Sequence, residues 1–471
     1  MAKENFYVYK QMLLSHIVLR NFRNYIDCEV NFPKPVNLII GGNAQGKTSL
    51  LEAIYFLCTA ESHRATRDGE LIRHNETGFY LKGTLENSSD DVMSLEATKR
   101  ARGEFKLKKN GVLQTKRSEW IGQFNAVLFS PESLILVKGG PSERRRFLDL
   151  LISQIDNNYL KNLQQYRLVL KQRNELLKQI RMALANTVQL DVWDKLLIAH
   201  GTAIIVKRSE IFHQLKAYAT RNHQRLTGDQ ENLLLTYRSA LVRNDTSVRD
   251  VEDETTENLI NEAEDELEVG SVESESEIKV AKHFGEALSA SRRADLQRGT
   301  TLVGPHRDDF LIELENTFAT HDLNSQGENS AKVLELPEIE TEDQKDTASE
   351  PPLPTLPEAA TLQTSEIFRE GARAYGSQGQ QRTIALALKL AELELIRAIT
   401  GRDPIVLLDD VTSELDYKRT GYLLKVLQNL SAQTFITATH TEPLVHHLNQ
   451  PNVLTVENAQ ISCISETSEK S

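Results

Sequence analysis

The stretch LIIGGNAQGKTSLLEAIYFL, residues 38–57, constrains this chain more than any other. It fits G-x-x-x-x-G-K-[ST] with Gly41, Gly46, Lys47 and Thr48. The apolar run Val36–Ile40 predicts a buried strand before the motif, and Ser49–Leu57 predicts a helix after it. A glycine-rich turn between a strand and a helix N-terminus points backbone N–H groups at an anion. Gly41, Gly42, Asn43, Ala44, Gln45 and Gly46 therefore form a cradle suited to the phosphates of ATP. Lys47 reaches the β and γ oxygens, and the Thr48 hydroxyl is a ligand for Mg²⁺. A chain built around this unit is an α/β protein.

A second stretch, DPIVLLDDVTSELD from Asp403 to Asp416, supplies the complementary charge. Ile405–Leu408 predicts a parallel strand buried on both faces, and ligands gather at the carboxyl ends of such strands. Asp409 is placed there to hold Mg²⁺ through its water shell, and Asp410 to orient or deprotonate the attacking water. The alternative is that both acids cap the next helix. QTFITATH predicts a further strand with His440 at its end, either a structural histidine or one that positions the nucleotide.

Far along the chain, YGSQGQQRTIALALKLAE passes from a polar turn into an unbroken helix. Ser377, Gly379 and Gln380 sit at its start, where unpaired N–H groups and the helix dipole attract a second anion. One protein thus carries two phosphate cradles, with 330 residues between Lys47 and Ser377.

Between these motifs the pattern changes repeatedly. Leu14–Phe32 predicts two strands about a turn at Asn21–Asn24, and Gly78–Thr84, Val92–Thr98 and Glu104–Lys108 predict more antiparallel strands, with Lys109–Gly111 as a hairpin turn. Ala126–Phe129 is a short strand. From Pro141 to about Leu226 the apolar spacing is helical, broken near Ala185–Leu190, which predicts a helical hairpin. From Gly299 the chain returns to strand. The expected organisation is a nucleotide-binding head from residues 1–130 and 297–471, its distant pieces sharing one sheet, with a helical domain inserted at 131–296.

Net charge is −12, which at first argues against a polyanionic partner. Val251–Ile278 has twelve acids and neither Lys nor Arg, and His321–Glu366 has eleven acids against two lysines. These two segments carry −21, so the rest of the chain is +9. Low hydrophobicity, high charge and a PPLPTLP cluster predict acidic, disordered insertions at 251–278 and 321–366. The three cysteines form no metal or disulfide pattern. No run approaches the ~18 apolar residues of a membrane span, and the first residues lack a signal-peptide core. A cytoplasmic protein is expected.

A P-loop, an SQGQ helix start, an Asp-Asp strand, a SELD loop and a strand-end histidine, in that order, resemble an ABC-type ATPase head. In that class the SQGQ element contacts the γ-phosphate held by an opposite, twofold-related copy. The second cradle is then for the partner's nucleotide. The chain lacks the long coiled coil and C-x-x-C hook of chromosome-organising relatives, and the motif spacing is too long for a transporter head. It is similar instead to the RecF family, through LRNFRNY (19–25), SHRATRDGELI (62–72), LFSPESLILVKGGPSERRRFLD (128–149), TLVGPHRDDF (301–310) and the P-loop, SQGQ and Asp-Asp stretches.

This resemblance implies an ABC ATPase head with mixed and antiparallel sheets and an inserted helical domain. It implies ATP and Mg²⁺ as cofactors, a homodimer on ATP, and binding to single- and double-stranded DNA at junctions. It also implies RecR and RecO as partners, loading of RecA at gaps, and slow hydrolysis that resets the dimer. Arg144, Arg145, Arg146, Lys106, Lys108 and Lys109 are candidate phosphate contacts on DNA, although the arginine triplet is equally suited to an internal role near the nucleotide. Ala44 stands where the family usually has glycine, a change that a negative φ would accommodate. The lid-loop glutamine of ABC ATPases has no assigned counterpart here; Gln123 is near in sequence.

Overall fold

The computed structural model describes residues 12–316 apart from 66, 88–90, 103–104 and 242–274, and residues 368–463 apart from 411–415, 429, 441–447 and 449. Most of the first acidic segment and all of the second lie outside the described residues.

Strands β1 (Leu13–Phe22) and β2 (Tyr25–Asn31) pair across a turn in which Asn21 and Arg23 adopt φ of 51° and 53°. The strand β3 (Val36–Ile40) then enters the P-loop, and helix α1 (Lys47–Thr59) leaves it. Strands β4 (Gly78–Glu86), β5 (Val92–Arg100), β6 (Phe105–Lys109) and β7 (Val112–Gln114) extend the first sheet, in the order β2-β1-β4-β5-β6-β7. The hairpin turn expected at Lys109–Gly111 forms between β6 and β7 as a two-residue loop, Asn110 and Gly111 at φ 50° and 78°, with Lys109 paired to Val112.

The second sheet holds the nucleotide motifs. Its order is β15-β14-β3-β13-β12-β8, drawn from β8 (Ala126–Phe129), β12 (Ile405–Leu408), β13 (Thr434–Ala438), β14 (Asn452–Glu457) and β15 (Gln460–Cys463). All its pairings are parallel except β14 with β15. Its inner strands are apolar on both faces, as a sheet covered on both sides requires. Ile39, Leu128, Ile405, Leu407 and Phe435 pack with α1 and the inner face of the first sheet, whereas Leu38, Val127, Val406, Leu408 and Ile436 pack with helices on the other side. The helix α1 is therefore the filling between two sheets. Leu50, Leu51 and Ile54 are fully buried, and truncating one to Ala would cost about 2–5 kcal/mol.

The helices follow the sequence pattern. The segments α2 (Pro141–Ile155), α3 (Asn157–Arg181) and α4 (Leu190–Thr227) are separated by an Asp156 cap and by the predicted break. The Asp156 carboxylate accepts from the backbone N–H of Asn158 and Tyr159 at 2.8 and 2.9 Å. The helix α5 (Glu275–Arg298) packs on α4 at Gly201, where an added Cβ would lie 2.4 Å from a Phe284 ring carbon. Glu275–Ile278, counted with the first acidic insertion, form its opening turn rather than disordered chain. On the far side of the second sheet runs α6 (Gln378–Thr400), largely buried from Gln381 to Ile396; α7 (Tyr417–Gln428) precedes β13.

One expectation is corrected. The strand following Gly299, β10 (Asp309–Asn316), does not join the sheet of the P-loop. It pairs antiparallel with β9 (Asn232–Arg238) and β11 (Phe368–Gly371) in a separate three-stranded sheet. Alternating burial made the strand predictable, but its neighbours lie far away in sequence on both sides.

Candidate functional site

Parallel pairing brings four strand ends to one edge. Ala438 pairs with Ile40, and Leu408 pairs with both Ile436 and Phe129, so the P-loop, Asp409, Asp410 and the residues leading to His440 emerge together. The backbone N–H of Gly41 donates to Ala438 O at 3.3 Å, fixing the loop's entry against β13.

The loop is held from beneath and from the side. Tyr25, fully buried, donates its hydroxyl to Gly46 O at 3.0 Å. The Gln45 side-chain oxygen accepts from Asn458 N at 2.6 Å, and Gln45 O accepts from Ala459 N at 3.0 Å, clasping the loop to the β14–β15 turn. A Cβ on Gly41 would come 2.4 Å from Val456 O, so only glycine fits. Gly46 has φ of 122°, a conformation L side chains rarely adopt. Ala44 also lies in the left-handed region, at φ 61°, so the replacement of the family's glycine is strained rather than accommodated. That conformation costs a residue with a Cβ about 1–2 kcal/mol.

Lys47 is largely buried and curls over the loop, donating to Gly41 O at 2.7 Å and Gly42 O at 3.0 Å. Phosphate oxygens at the same place would take over those donors. The first turn of α1 carries no acid and no side-chain cap, so its N–H groups remain directed at the cradle.

Asp409 is 4% exposed. Its Oδ1 accepts from Thr48 Oγ1 at 3.0 Å and from Thr437 Oγ1 at 2.9 Å. Burial raises its pKa above the ordinary 3.8, partly offset by those two hydroxyl donors. A buried carboxylate beside a threonine hydroxyl fits a hard, oxygen-seeking cation such as Mg²⁺. Asp410 has φ of 52°, and its backbone N–H donates to Thr437 Oγ1 at 2.9 Å. Thr437 therefore ties the Asp409 carboxylate to the Asp410 backbone, a role its sequence context did not signal. His440 is exposed two residues beyond β13.

A second group borders these residues. Glu52, 1% exposed on α1, receives Arg23 through two bonds of 2.7 and 2.6 Å and the Ser62 hydroxyl. Arg64 pairs with Glu132 at 3.4 Å, and both act electrostatically on Asp409. His63 lies between them with both ring nitrogens buried and unpartnered, and burial lowers its pKa to about 4. The Arg64–Glu132 pair brings the loops after α1 and β8 to the acid, which the motif spacing did not reveal.

The SQGQ element lies elsewhere. Ser377 caps α6, accepting from Gln380 N at 3.2 Å, while the Gln380 side-chain oxygen accepts from Ser377 N at 2.7 Å. The Gln380 amide then donates to Glu231 at 2.9 Å, so this side chain is engaged within its own chain. Ser377 is exposed and Gly379 half-buried. Among the described residues no hydrogen bond joins 377–381 to 41–48. The helix behind this cap runs 23 residues, about 35 Å.

The basic candidates divide. Arg144 is internal: its guanidinium grips Asp309 through two bonds of 2.8 Å and Gly139 O at 2.9 Å. It is not free to meet DNA phosphate, which corrects that expectation. Arg145 donates to Asp308 O at 2.6 Å, and Arg146, nearly half exposed, to Ser62 O at 2.7 Å. Lys109 donates to Gln123 at 2.6 Å, and the Gln123 amide donates to Glu119 O at 3.2 Å, so this side chain is engaged beside the first sheet. Lys106 and Lys108 are exposed on one face of β6.

Comparisons with known proteins show the family. The family model described as RecF/RecN/SMC N terminal domain matches residues 13–462. The chain is 37% identical over 432 residues to a protein of Natranaerobius thermophilus named DNA replication and repair protein RecF, covering 92% of each. It is 37% identical over 453 residues to the protein of that name from Bacillus cytotoxicus, covering 96% of this chain and 99% of the relative. Among solved structures it resembles one described as the recombination mediator protein RecF-ATP in the RecFOR pathway. The TM-score is 0.73 at 30% identity, covering 98% of this chain and all of the other.

Proposed function

The chain belongs to the RecF family of ATP-binding DNA replication and repair proteins, and on that footing we propose that two copies close around ATP to hold DNA. The observation that carries this reading is the separation of the two cradles. The P-loop with Asp409 and Asp410 makes one half of a phosphate site; the exposed Ser377 cap, on the end of a long helix, shares no hydrogen bond with that loop among the described residues. Twofold pairing of two heads brings each cap to the other's γ-phosphate.

Thr48 and Asp409 are the residues that would hold Mg²⁺. The ion neutralises charge on the phosphates when bound. Lys47 supplies the cation for the β and γ oxygens, and Asp410, held by Thr437, orients the attacking water. His440 stands at the open edge of the same site. Each closed dimer contains two such composite sites, and hydrolysis reopens it.

In this reading the closed pair grips DNA where single and double strands meet, with RecR and RecO as partners and RecA loading as the outcome. The DNA contacts are sequence-independent: Lys106 and Lys108 on the open face of β6 are retained as phosphate contacts. The test is DNA binding with and without ATP across a salt series, in the wild type and in Lys47→Ala. ATP should strengthen DNA retention, with a steep salt dependence. The Lys47→Ala chain should lose the ATP effect and keep the basal one. ATP-stimulated retention that survives in Lys47→Ala overturns the assignment.

A further inference from the structure

Away from the P-loop, α2 and α3 diverge from their connecting turn and leave a cleft of about 350 Å³. The volume is within the range of small-ligand pockets. None of residues 41–48 and neither Asp409 nor Asp410 lines it. Its two walls differ in chemistry. Leu163, Tyr166 and Leu170 of α3, with Ile204 of α4, make an apolar wall. Arg145, Arg146 and Asp149 of α2 make a charged one, and Arg167 of α3 and Arg208 of α4 add two guanidiniums from the helices of the apolar wall.

The charged wall has more cation than it uses. Asp149 is saturated: it accepts from Arg208 at 2.7 Å, Arg167 at 3.1 Å and Tyr159 Oη at 2.5 Å. Glu61 faces Arg146 at 3.6 Å. His306, at the rim, is committed at both nitrogens, to Tyr166 Oη and Thr301 O. Arg145 is left with one hydrogen bond, to Asp308 O, for five N–H groups. Burial and the like charge of Arg208 lower the Arg145 pKa, against the opposing pull of Asp309, Asp308 and Asp149. A planar guanidinium with open donors, facing an apolar wall across a nucleotide-sized space, is matched by a phosphate carried on a flat ring.

We propose that the cleft between α2 and α3 binds a nucleoside monophosphate group, its phosphate on Arg145 and Arg167 and its base against Leu163, Tyr166 and Leu170. Two sources present this chemistry, a free mononucleotide and the phosphorylated end of a DNA strand. The cleft shares no residue with the P-loop, so it can fill while the P-loop holds its own nucleotide.

The full chain is saturated with ADP to fill the P-loop and then titrated calorimetrically with dTMP. Saturable binding with a Kd below about 1 mM is expected. Arg145→Gln should weaken it by about tenfold, and Arg167→Gln, at an exposed position, supplies the same test should the first variant fold poorly. Thymidine, lacking the phosphate, should not bind. Competition by a 5′-phosphorylated oligonucleotide, and not by its unphosphorylated twin, assigns the site to DNA ends; competition by neither assigns it to free nucleotide, and both support the site. Absence of saturable dTMP binding, equal binding of thymidine, or unchanged affinity in both variants overturns the proposal.

Discussion

Thr48 donates its hydroxyl to Asp409 Oδ1 across 3.0 Å, although 361 residues separate the two in sequence. Each is a candidate Mg²⁺ ligand from opposite ends of the chain, and the second sheet brings them together before any ligand arrives. Their hydrogen bond keeps a buried carboxylate satisfied until a cation takes its place.

That arrangement has a pH signature. Burial holds the Asp409 pKa above 3.8, so the folded chain binds this proton more tightly than the unfolded chain does. The stability contributed by protonation is fully present below pH 3.8 and is lost as pH rises through the raised folded value. Mg²⁺ competes with that proton, so Mg²⁺-dependent ATP binding should fall on acidification at a pH above that of an ordinary aspartate. Asp409→Asn removes the buried charge and keeps the oxygen that accepts from Thr48 and Thr437. It should melt no lower than wild type while Mg²⁺-dependent hydrolysis drops about 100-fold or more. A large fall in melting temperature with hydrolysis intact would show a purely structural acid.

At Ala44 the backbone already sits at φ 61°. Glycine relieves the Cβ conflict but loosens the unfolded chain, so Ala44→Gly should stabilise by about 0.5–1 kcal/mol. Ala44→Val should destabilise by more than that. Chemical denaturation of the two variants, compared in midpoint at unchanged slope, decides the sign.

Ser377→Arg places a long cation where the exposed cap meets the partner. The lone chain keeps its own P-loop, so ATP affinity should change little, whereas ATP-dependent dimerisation in sedimentation and hydrolysis should both fail. Mixing this variant with Lys47→Ala should restore part of the hydrolysis, since one composite site in the mixed dimer is intact. Loss of ATP binding by the Ser377→Arg monomer would mean that the cap serves its own chain.

Arg144→Ala leaves Asp309 without its bidentate partner and should cost about 3 kcal/mol in urea denaturation. DNA affinity per folded molecule should hold. Lys106→Ala and Lys108→Ala should do the reverse, leaving stability nearly unchanged while each lowers the salt slope of DNA binding by about 1.

The strands that carry the candidate nucleotide residues were legible because they are buried on both faces. Ile405–Leu408 is an unbroken apolar run ending in two acids, and Val36–Ile40, apolar apart from Asn37, runs straight into the glycine-rich loop. The Ser377 cap was legible for a local reason: Ser and Gln three residues apart at a helix start bond to each other's backbone. Arg144 was not legible, because its environment is set by Asp309, 165 residues away, and nothing in an RRR triplet distinguishes the inward member. The left-handed turn at Ala44 depends on how the whole loop closes onto Tyr25 and the β14–β15 turn. The partners of β10 were hidden for the same reason, since alternation fixes which face of a strand is buried and is silent on what lies beside it.

The placement of β3 has a consequence for how the protein is made. Its two neighbours in the sheet, β13 and β14, begin at Thr434 and Asn452, about 400 residues downstream. At translation rates of 5–20 residues per second, β3 waits roughly 20–80 s after leaving the ribosome with both edges unpaired. An apolar strand in that condition is an open template for pairing with another nascent chain. The antiparallel first sheet, complete by Gln114, is available within seconds to cover α1, but it cannot supply β3 with hydrogen bonds. ATP affinity should therefore be among the last properties a nascent chain acquires, and synthesis of the protein should lean on a holdase that shields residues 36–57 until the last strands arrive.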